Sequence, residues 1–579
     1  MIHWDKINPP QNANTVKIIL LAIVVLAVII RILYLVEVHD DLLLRHVIKN
    51  DAFDEYRFMK PVTQVINGNW LGPKTLYSLG YSYVISFLYL FLPKDITTVF
   101  VSQIILGIIA VYVSYRAAAL LFNNKIAGII AAFIVSLYSP FVFQECDIER
   151  GAIIAYSNLF CFYLLLRALK KDRIKYFFLA GLVLGFSMII RPNILPIFVA
   201  PYIFFTVKKS YKAKICSVIA FVLGIMILAV PFAFRNMVQG QGFTIEPQGI
   251  EAFWVGNAHN SPGIDLVWLD SQKELAKESG NNIGKAFAVL WREIKKYPEE
   301  YRHLYSRKIK MFLNGYEVPA NLNYYLFKER YIILNVCFIN FAIISPLALI
   351  GILLARREYR FIGLLYIFLF VLSFSNIAFH IQGRYRIPTV PFFIIMASYT
   401  IYWLADKARK KEWALVIYAV VAIICITFYT RSDYSMIKKY SGSVIRSVDY
   451  SNLALTYLDK SSERGIENER KNYFIKEGAI YLEKAIKINP LNPSYYMKLA
   501  MAYSNQGKFT QAMFDFNKAI EINPNYTEAY YNRGLIYAKQ GNLNQAISDY
   551  NKAIAINPDY LDAYYNRGLS YGRQKEFTQ

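Results

Sequence analysis

At 579 residues with 56% apolar side chains and a positive mean hydropathy, the chain holds more apolar sequence than a soluble globular protein of this size buries. That class is excluded, and many membrane crossings are expected. The formal charge of +23 would suit nucleic acid, but the basic residues fall in short clusters between apolar runs rather than along one polar face, which argues against such a partner. Four of the five cysteines lie inside apolar runs, so no disulfide framework is expected.

The first apolar run, 17–38, lacks the short core and small-residue cleavage site of a secretory signal and is expected to remain as an anchor. Just beyond it, NDAFDEYRF (50–58) packs Asp51, Asp54 and Glu55 into five residues. On a helix these fall at i, i+3 and i+4, one face, and converge near the bilayer surface. A catalytic base, a cation site or simply a wet face would each account for them. Residues 81–92 are apolar but short of the roughly 20 residues that a ~30 Å hydrocarbon core requires, so they are expected to lie on the membrane surface.

Runs of spanning length begin near Lys17, Val99, Ile126, Ala152, Tyr176, Asn193, Ile215, Tyr331, Phe361, Pro388 and Trp413, which makes eleven spans. With a cytoplasmic N-terminus, the clusters KKDRIK (170–175), KKSYKAK (208–214), ARREYR (355–360) and DKARKK (406–411) all fall inside, as the excess of Lys and Arg in cytoplasmic loops demands. The expected architecture is all-α: a multi-pass region, 1–430, in the plasma (inner) membrane, with outer loops at 37–98, 144–151 and 235–330.

The second outer loop, QECDIERG, carries Glu145 and Asp147, an E-x-D pair that suits acid–base work or a divalent metal ion. The third carries Trp254 and Asn257 in FWVGN and Glu317 in YEVPAN. With Tyr56 these are the candidates for substrate contact, and Trp254 would suit stacking on a sugar. Packing and turn roles are the alternative for each. Residues 271–313 read as amphipathic helices lying over the membrane face. Four arginines stand at outer span ends near proline: Arg191 in IIRPN, Arg235 in PFAFRN, and Arg384 and Arg386 in GRYRIPTVP. Snorkelling would explain any one of them. Together, opposite acidic loops, they are suited to a lipid phosphate, which the guanidinium fork matches.

After a linker, 431–470, the region 471–579 is expected outside. Asn-Pro recurs at 489, 523 and 557, a period of 34, with Gly507 and Gly541 at matching turns. Period, Ala-Tyr-Tyr pairs and turn residues together identify tetratricopeptide repeats, an α-solenoid with a groove for a protein partner. The last repeat is expected to be incomplete, stopping after its first helix.

Carboxylates facing phosphate-binding arginines suit transfer of a group from a lipid phosphate to a hydroxyl. Over nearly the whole membrane region the chain resembles the GT-C glycosyltransferases, in the branch of the protein O-mannosyltransferases and the lipid A aminoarabinose transferase. The resemblance is carried in order by DAFDEY, INGNWLG, SQIILG, LYSPF, IIRPN, PFAFRN, QGIEAFWVGN, YEVPANLNYY and GRYRIPTVP. It implies a polyprenyl-phosphate sugar donor, a protein or glycan acceptor on the outer side, inversion at the anomeric carbon and a first-loop aspartate as base, Asp51 first and Asp54 next. Two other readings stay open: an O-antigen-ligase-like transferase using a lipid diphosphate, and a non-enzymatic membrane scaffold acting through its repeats.

Overall fold

The computed structural model describes residues 13–49, 54–74, 79–208, 210–245, 250–258, 261, 270–280, 282–319, 322–355, 361–379, 381–431, 445–463 and 465–576. Among these the regular elements are helices, joined by one isolated backbone bridge between Tyr138 and Ile339. The chain divides into two compact units: Met1–Asp40 with Val47–Tyr434, and Asp41–His46 with Ser435–Gln579.

The first unit opens with α1 (Ala13–Val38), α2 (Leu42–Val47, most of which groups with the second unit), α3 (Asp54–Ile66) and α4 (Gly80–Phe91). Its middle comprises α5 (Ile96–Leu121), α6 (Lys125–Ser136), α7 (Ser139–Glu145), α8 (Gly151–Lys171), α9 (Ile174–Ile190), α10 (Leu195–Thr206) and α11 (Tyr211–Val238). The region 235–330, expected as an outer loop, contains α12 (Ile250–Asn257), α13 (Asp270–Ser279), α14 (Ile283–Lys296) and α15 (Pro298–Leu313). Two short helices, α16 (Tyr324–Arg330) and α17 (Ile332–Val336), lead into α18 (Phe341–Leu354) and α19 (Ile362–Ala378). The unit closes with α20 (Gly383–Arg386), α21 (Val390–Arg409) and α22 (Trp413–Arg431).

The eleven expected spans fall on helices, the one from Tyr331 divided between α17 and α18, but the described residues contain only six helices long and apolar enough to cross a membrane: α1, α5, α8, α11, α20 continued into α21, and α22. The others, α6, α9, α10, α18 and α19, have 12 to 17 residues. Local chemistry cuts the apolar runs. α6 stops at Ser136 because Tyr138 pairs with Ile339 and Pro140 opens a new helix at α7. α18 starts only at the side-chain cap that Asn340 provides to Ala342.

Helices α9 and α11 approach closely through glycine. A Cβ on Gly181 would lie 1.9 Å from the Phe221 carbonyl oxygen, and one on Gly224 would lie 2.3 Å from that of Phe178. Gly181→Ala is therefore expected to push the helices apart and cost about 1–3 kcal/mol. Thermal unfolding in detergent measures this, and an unchanged midpoint would contradict the close approach.

The second unit holds α23 (Ser447–Ser461), α24 (Asn468–Ile488), α25 (Pro493–Asn505), α26 (Phe509–Ile522), α27 (Thr527–Lys539), α28 (Leu543–Ile556) and α29 (Leu561–Glu576). The 431–470 stretch expected as a linker thus contains a helix, and its Ala454 packs with Ile475, Ala479, Leu482, Leu499 and Ala502. The turn glycines Gly507 and Gly541 have φ of +74° and +80°, which a side chain would strain. The 34-residue period is visible in bonding: Arg533 donates to Asn517 Oδ1 at 2.6 Å, and Arg567 to Asn551 Oδ1 at 2.7 Å.

Candidate active site

The second acidic loop is built where α7 ends. All seven residues of α7 are buried, Glu145 is its last, and Cys146 to Arg150 turn the chain into α8. From α5, Gln103 Nε2 donates to the carbonyl oxygen of Asp147 at 2.9 Å and to that of Glu145 at 3.4 Å, which fixes the turn. Asp147 and Glu149 are both buried. They line a narrow cleft of about 30 Å³ together with Gln144, Glu317, Tyr324 and Arg384. Across it, Arg384 pairs with Glu149 at 2.6 Å and its Nε donates to Gln382 Oε1 at 2.8 Å.

Asp147 Oδ1 has no hydrogen-bond partner among the described residues. Burial first, then the charge of Glu149, push the Asp147 carboxyl well above the usual carboxylate range; Arg384 and a backbone N–H at Ile148 only partly oppose this. Such a shift favours the protonated form, which can donate a hydrogen bond. If the protonated form is the active one, turnover falls as pH rises through the raised value, and Asp147→Asn, which cannot ionise, removes that alkaline limb. A limb unchanged in Asp147→Asn would assign it to another group.

The first outer loop reaches the same place. Tyr81, at the start of α4, is buried, its hydroxyl has no hydrogen-bond partner among the described residues, and it lies within electrostatic reach of Asp147, Glu149 and Glu55. Glu55, on α3, is buried. α3 is held on α4 by the Ser82 hydroxyl donating to the Phe58 carbonyl at 2.7 Å and by an edge-on contact of the Phe58 and Tyr81 rings. Arg150 stacks over Phe58 with its guanidinium carbon 4.9 Å from the ring centre. Asp51 lies outside the described residues, as does the side chain of Asp54; Tyr56 is half-buried on α3.

The four outer arginines take different places. Arg384 borders the cleft, and Arg191 stacks 3.7 Å above the ring of Tyr385, the neighbour of Arg384. Arg386 is instead buried among its own chain's carbonyls, donating to Phe312, Asn314 and Tyr316 and pairing with Glu317 at 2.7 Å. Arg235 donates to the carbonyls of Leu71 and Pro73 and braces the end of the first outer loop. Backbone carbonyls at outer turns attract guanidinium as phosphate does, and for these two the structure replaces the expected phosphate with the chain itself.

Trp254 and Asn257 likewise turn inward. Trp254 is fully buried, donates to Ser279 Oγ at 2.8 Å and packs among Phe253, Leu275, Val289 and Leu304. Asn257 receives Tyr305 and Lys308 at its side-chain oxygen and Tyr301 at its carbonyl, and donates to Ala378. They hold the third outer loop together rather than face a ligand. Glu145, expected beside Asp147 as a metal ligand, gives its carboxylate to Arg31 and Tyr156. Among the described residues no three His, Cys, Asp or Glu side chains converge as a metal-binding group. Arg31, Gln103, Tyr81 and Glu149 were not among the expected site residues. Arg31 had a signal, since an ionisable residue inside an apolar span has a partner or a role.

Residues 77–234 match the family model described as dolichyl-phosphate-mannose-protein mannosyltransferase. Repeat models match 481–514, 502–541 and 534–575. The segment 77–234, which runs from just before α4 to near the end of α11, is thus similar to that family, and the C-terminal region carries tetratricopeptide repeats. No curated protein matches the sequence. Among solved structures, the archaeal oligosaccharyltransferase AglB from Archaeoglobus fulgidus, in complex with an inhibitory peptide and a dolichol-phosphate, is similar at 14% identity and a TM-score of 0.42, over 79% of this chain and 59% of that one. The MamA protein is similar at 23% identity and 0.20, over 30% and 79%. The first repeat domain of Spaghetti (RPAP3), bound to an HSP90 peptide, is similar at 26% and 0.19, over 22% and 95%.

Proposed function

We propose that this protein is a membrane glycosyltransferase that moves a sugar from a polyprenyl monophosphate to a hydroxyl of a protein or glycan on the outer side of the membrane, with inversion, its N-terminus being cytoplasmic. The observation that carries this reading is the cleft that Asp147 and Glu149 line with Arg384, beside Tyr81, which Asp147, Glu149 and Glu55 of the first loop all reach electrostatically. The mannosyltransferase family match over 77–234 supports the donor class.

In this reading Arg384, with Arg191 beyond Tyr385, takes the donor phosphate, and Asp51 removes the proton of the acceptor hydroxyl as its oxygen attacks the anomeric carbon. The bond from that carbon to the phosphate oxygen breaks, the electron pair leaves with polyprenyl phosphate, and the neutral Asp147 carboxyl donates a hydrogen bond to the departing charge.

Purified protein offered labelled polyprenyl-monophosphate and polyprenyl-diphosphate sugars tests the donor. Transfer from the monophosphate supports the reading, and transfer only from the diphosphate replaces it with a ligase-like activity.

The repeats carry no catalytic constellation, and in this reading their groove recruits a protein acceptor or partner. Deleting 489–579 is then expected to reduce transfer to a protein while transfer to a small soluble acceptor persists. Equal retention of both activities would remove the repeats from acceptor choice.

A further inference from the structure

We propose that Arg31, inside the first apolar helix, is a positioning residue for the reaction centre: its buried ion pair with Glu145 fixes where Asp147 and Glu149 stand. This rests on the reading that those two carboxylates belong to the site. Arg31 is the nineteenth residue of α1, seven before its end at Val38, so about 10 Å of helix separates it from that terminus. Its Nε lies 2.7 Å from Glu145 Oε2 and its second terminal nitrogen 3.0 Å from Oε1, with both side chains sealed from solvent. The remaining guanidinium nitrogen donates to the carbonyls of Ala27 and Ser136, each at 3.4 Å, and the Tyr156 hydroxyl donates to Glu145 Oε1.

One face of α5 completes the arrangement. Gly107 leaves the room that Glu145 fills, since a Cβ there would sit 2.0 Å from Oε1. One turn earlier Gln103 holds the Asp147 carbonyl. The loop from Glu145 to Glu149 is therefore clamped at its first residue by Arg31 and Tyr156, at its third by Gln103 and at its fifth by Arg384.

Stability alone does not explain the pair. Two charges taken out of water regain less than an apolar pair of the same volume would supply, whereas a bidentate ion pair has one orientation that apolar packing does not specify. Glu145 is joined through Cys146 alone to Asp147, so the orientation passes directly into the site. A shift of about 1 Å in a reacting group costs on the order of 100-fold in rate.

The test compares Arg31→Gln, Arg31→Lys and Gln103→Leu with wild type and Asp147→Asn in steady-state transfer. Arg31→Gln and Gln103→Leu are expected to lower kcat about 10- to 100-fold with donor KM nearly unchanged and with the alkaline limb of the pH profile displaced. Arg31→Lys is expected to recover part of kcat. A merely structural role would lower the folded fraction and leave kcat per folded molecule and the pH limb in place, which would overturn the proposal. Should Arg31→Gln fail to fold, Gln103→Leu decides, because it releases the same loop without leaving a lone buried charge, and wild-type kcat there overturns the proposal as well. An alkaline limb unchanged in Asp147→Asn would remove the underlying reading, whereas a limb lost in Asp147→Asn beside wild-type behaviour in the other variants removes only the positioning role.

Discussion

Asp51→Asn is expected to lower sugar transfer about 10²- to 10⁴-fold while the protein folds and binds donor normally. A general base contributes that range, and the amide has nearly the same shape but cannot take up the proton. The effect should fall on kcat rather than on KM, because the acceptor proton moves only in the transition state. Asp51 stands three residues before α3 begins in sequence, and on α3 Glu55 comes within electrostatic reach of Tyr81, which Asp147 and Glu149 also reach. Asp54→Asn is the companion variant. If it is the damaging one and Asp51→Asn is not, the base lies one helical turn further along. Wild-type turnover in the double variant would take the first loop out of the chemistry.

Arg384→Lys is expected to weaken donor binding by about 1.5–3 kcal/mol, the scale of hydrogen bonds to charged groups, or roughly 10- to 150-fold. Arg384 gives one terminal nitrogen to Glu149, its Nε to Gln382 and its other terminal nitrogen, at 3.4 Å, to the Tyr385 hydroxyl, and its side chain is only 12% exposed, at the cleft. A guanidinium can hold Glu149 and still direct another nitrogen to a phosphate; an ammonium on a flexible stem offers one point charge for both. Arg386→Lys makes the contrast. Its bonds run to the carbonyls of Phe312, Asn314 and Tyr316 and to Glu317, so its loss is expected in thermal stability with little change in donor KM. Donor KM measured for both variants separates the roles, and equal KM changes would refute the division.

The helical architecture and the repeats were legible because periodicity is a local property: an apolar run and a 34-residue recurrence need no knowledge of what they touch. Length was less legible. α6 and α18 are cut short by a pairing between Tyr138 and Ile339, two hundred residues apart in approximate terms, which no local pattern announces. In the site, the residue types were readable and their partners were not. Glu145 and Asp147 are two positions apart and look like a pair, yet Glu145 turns to Arg31 on α1 while Asp147 faces the cleft with Glu149 and Arg384. Arginine at an outer turn serves a phosphate or a carbonyl equally well, and only the fold separates Arg384 from Arg386 and Arg235. The SQIILG motif carries part of the family resemblance, and its sequence alone assigns it no role. The structure supplies one, since its Gln103 holds the Asp147 carbonyl and its Gly107 leaves space for Glu145.

The most direct measurement is a single-turnover assay of purified protein with a polyprenyl-monophosphate donor labelled in the sugar and an excess of hydroxyl acceptor, run side by side for wild type, Asp51→Asn and Asp147→Asn. Label should reach the acceptor with inverted anomeric configuration and one polyprenyl phosphate released per transfer, rapidly in wild type, almost not at all in Asp51→Asn, and without the alkaline limb in Asp147→Asn. Transfer at wild-type rate in both variants, or label reaching the acceptor with retained configuration, would contradict a reaction centre built from the two acidic loops.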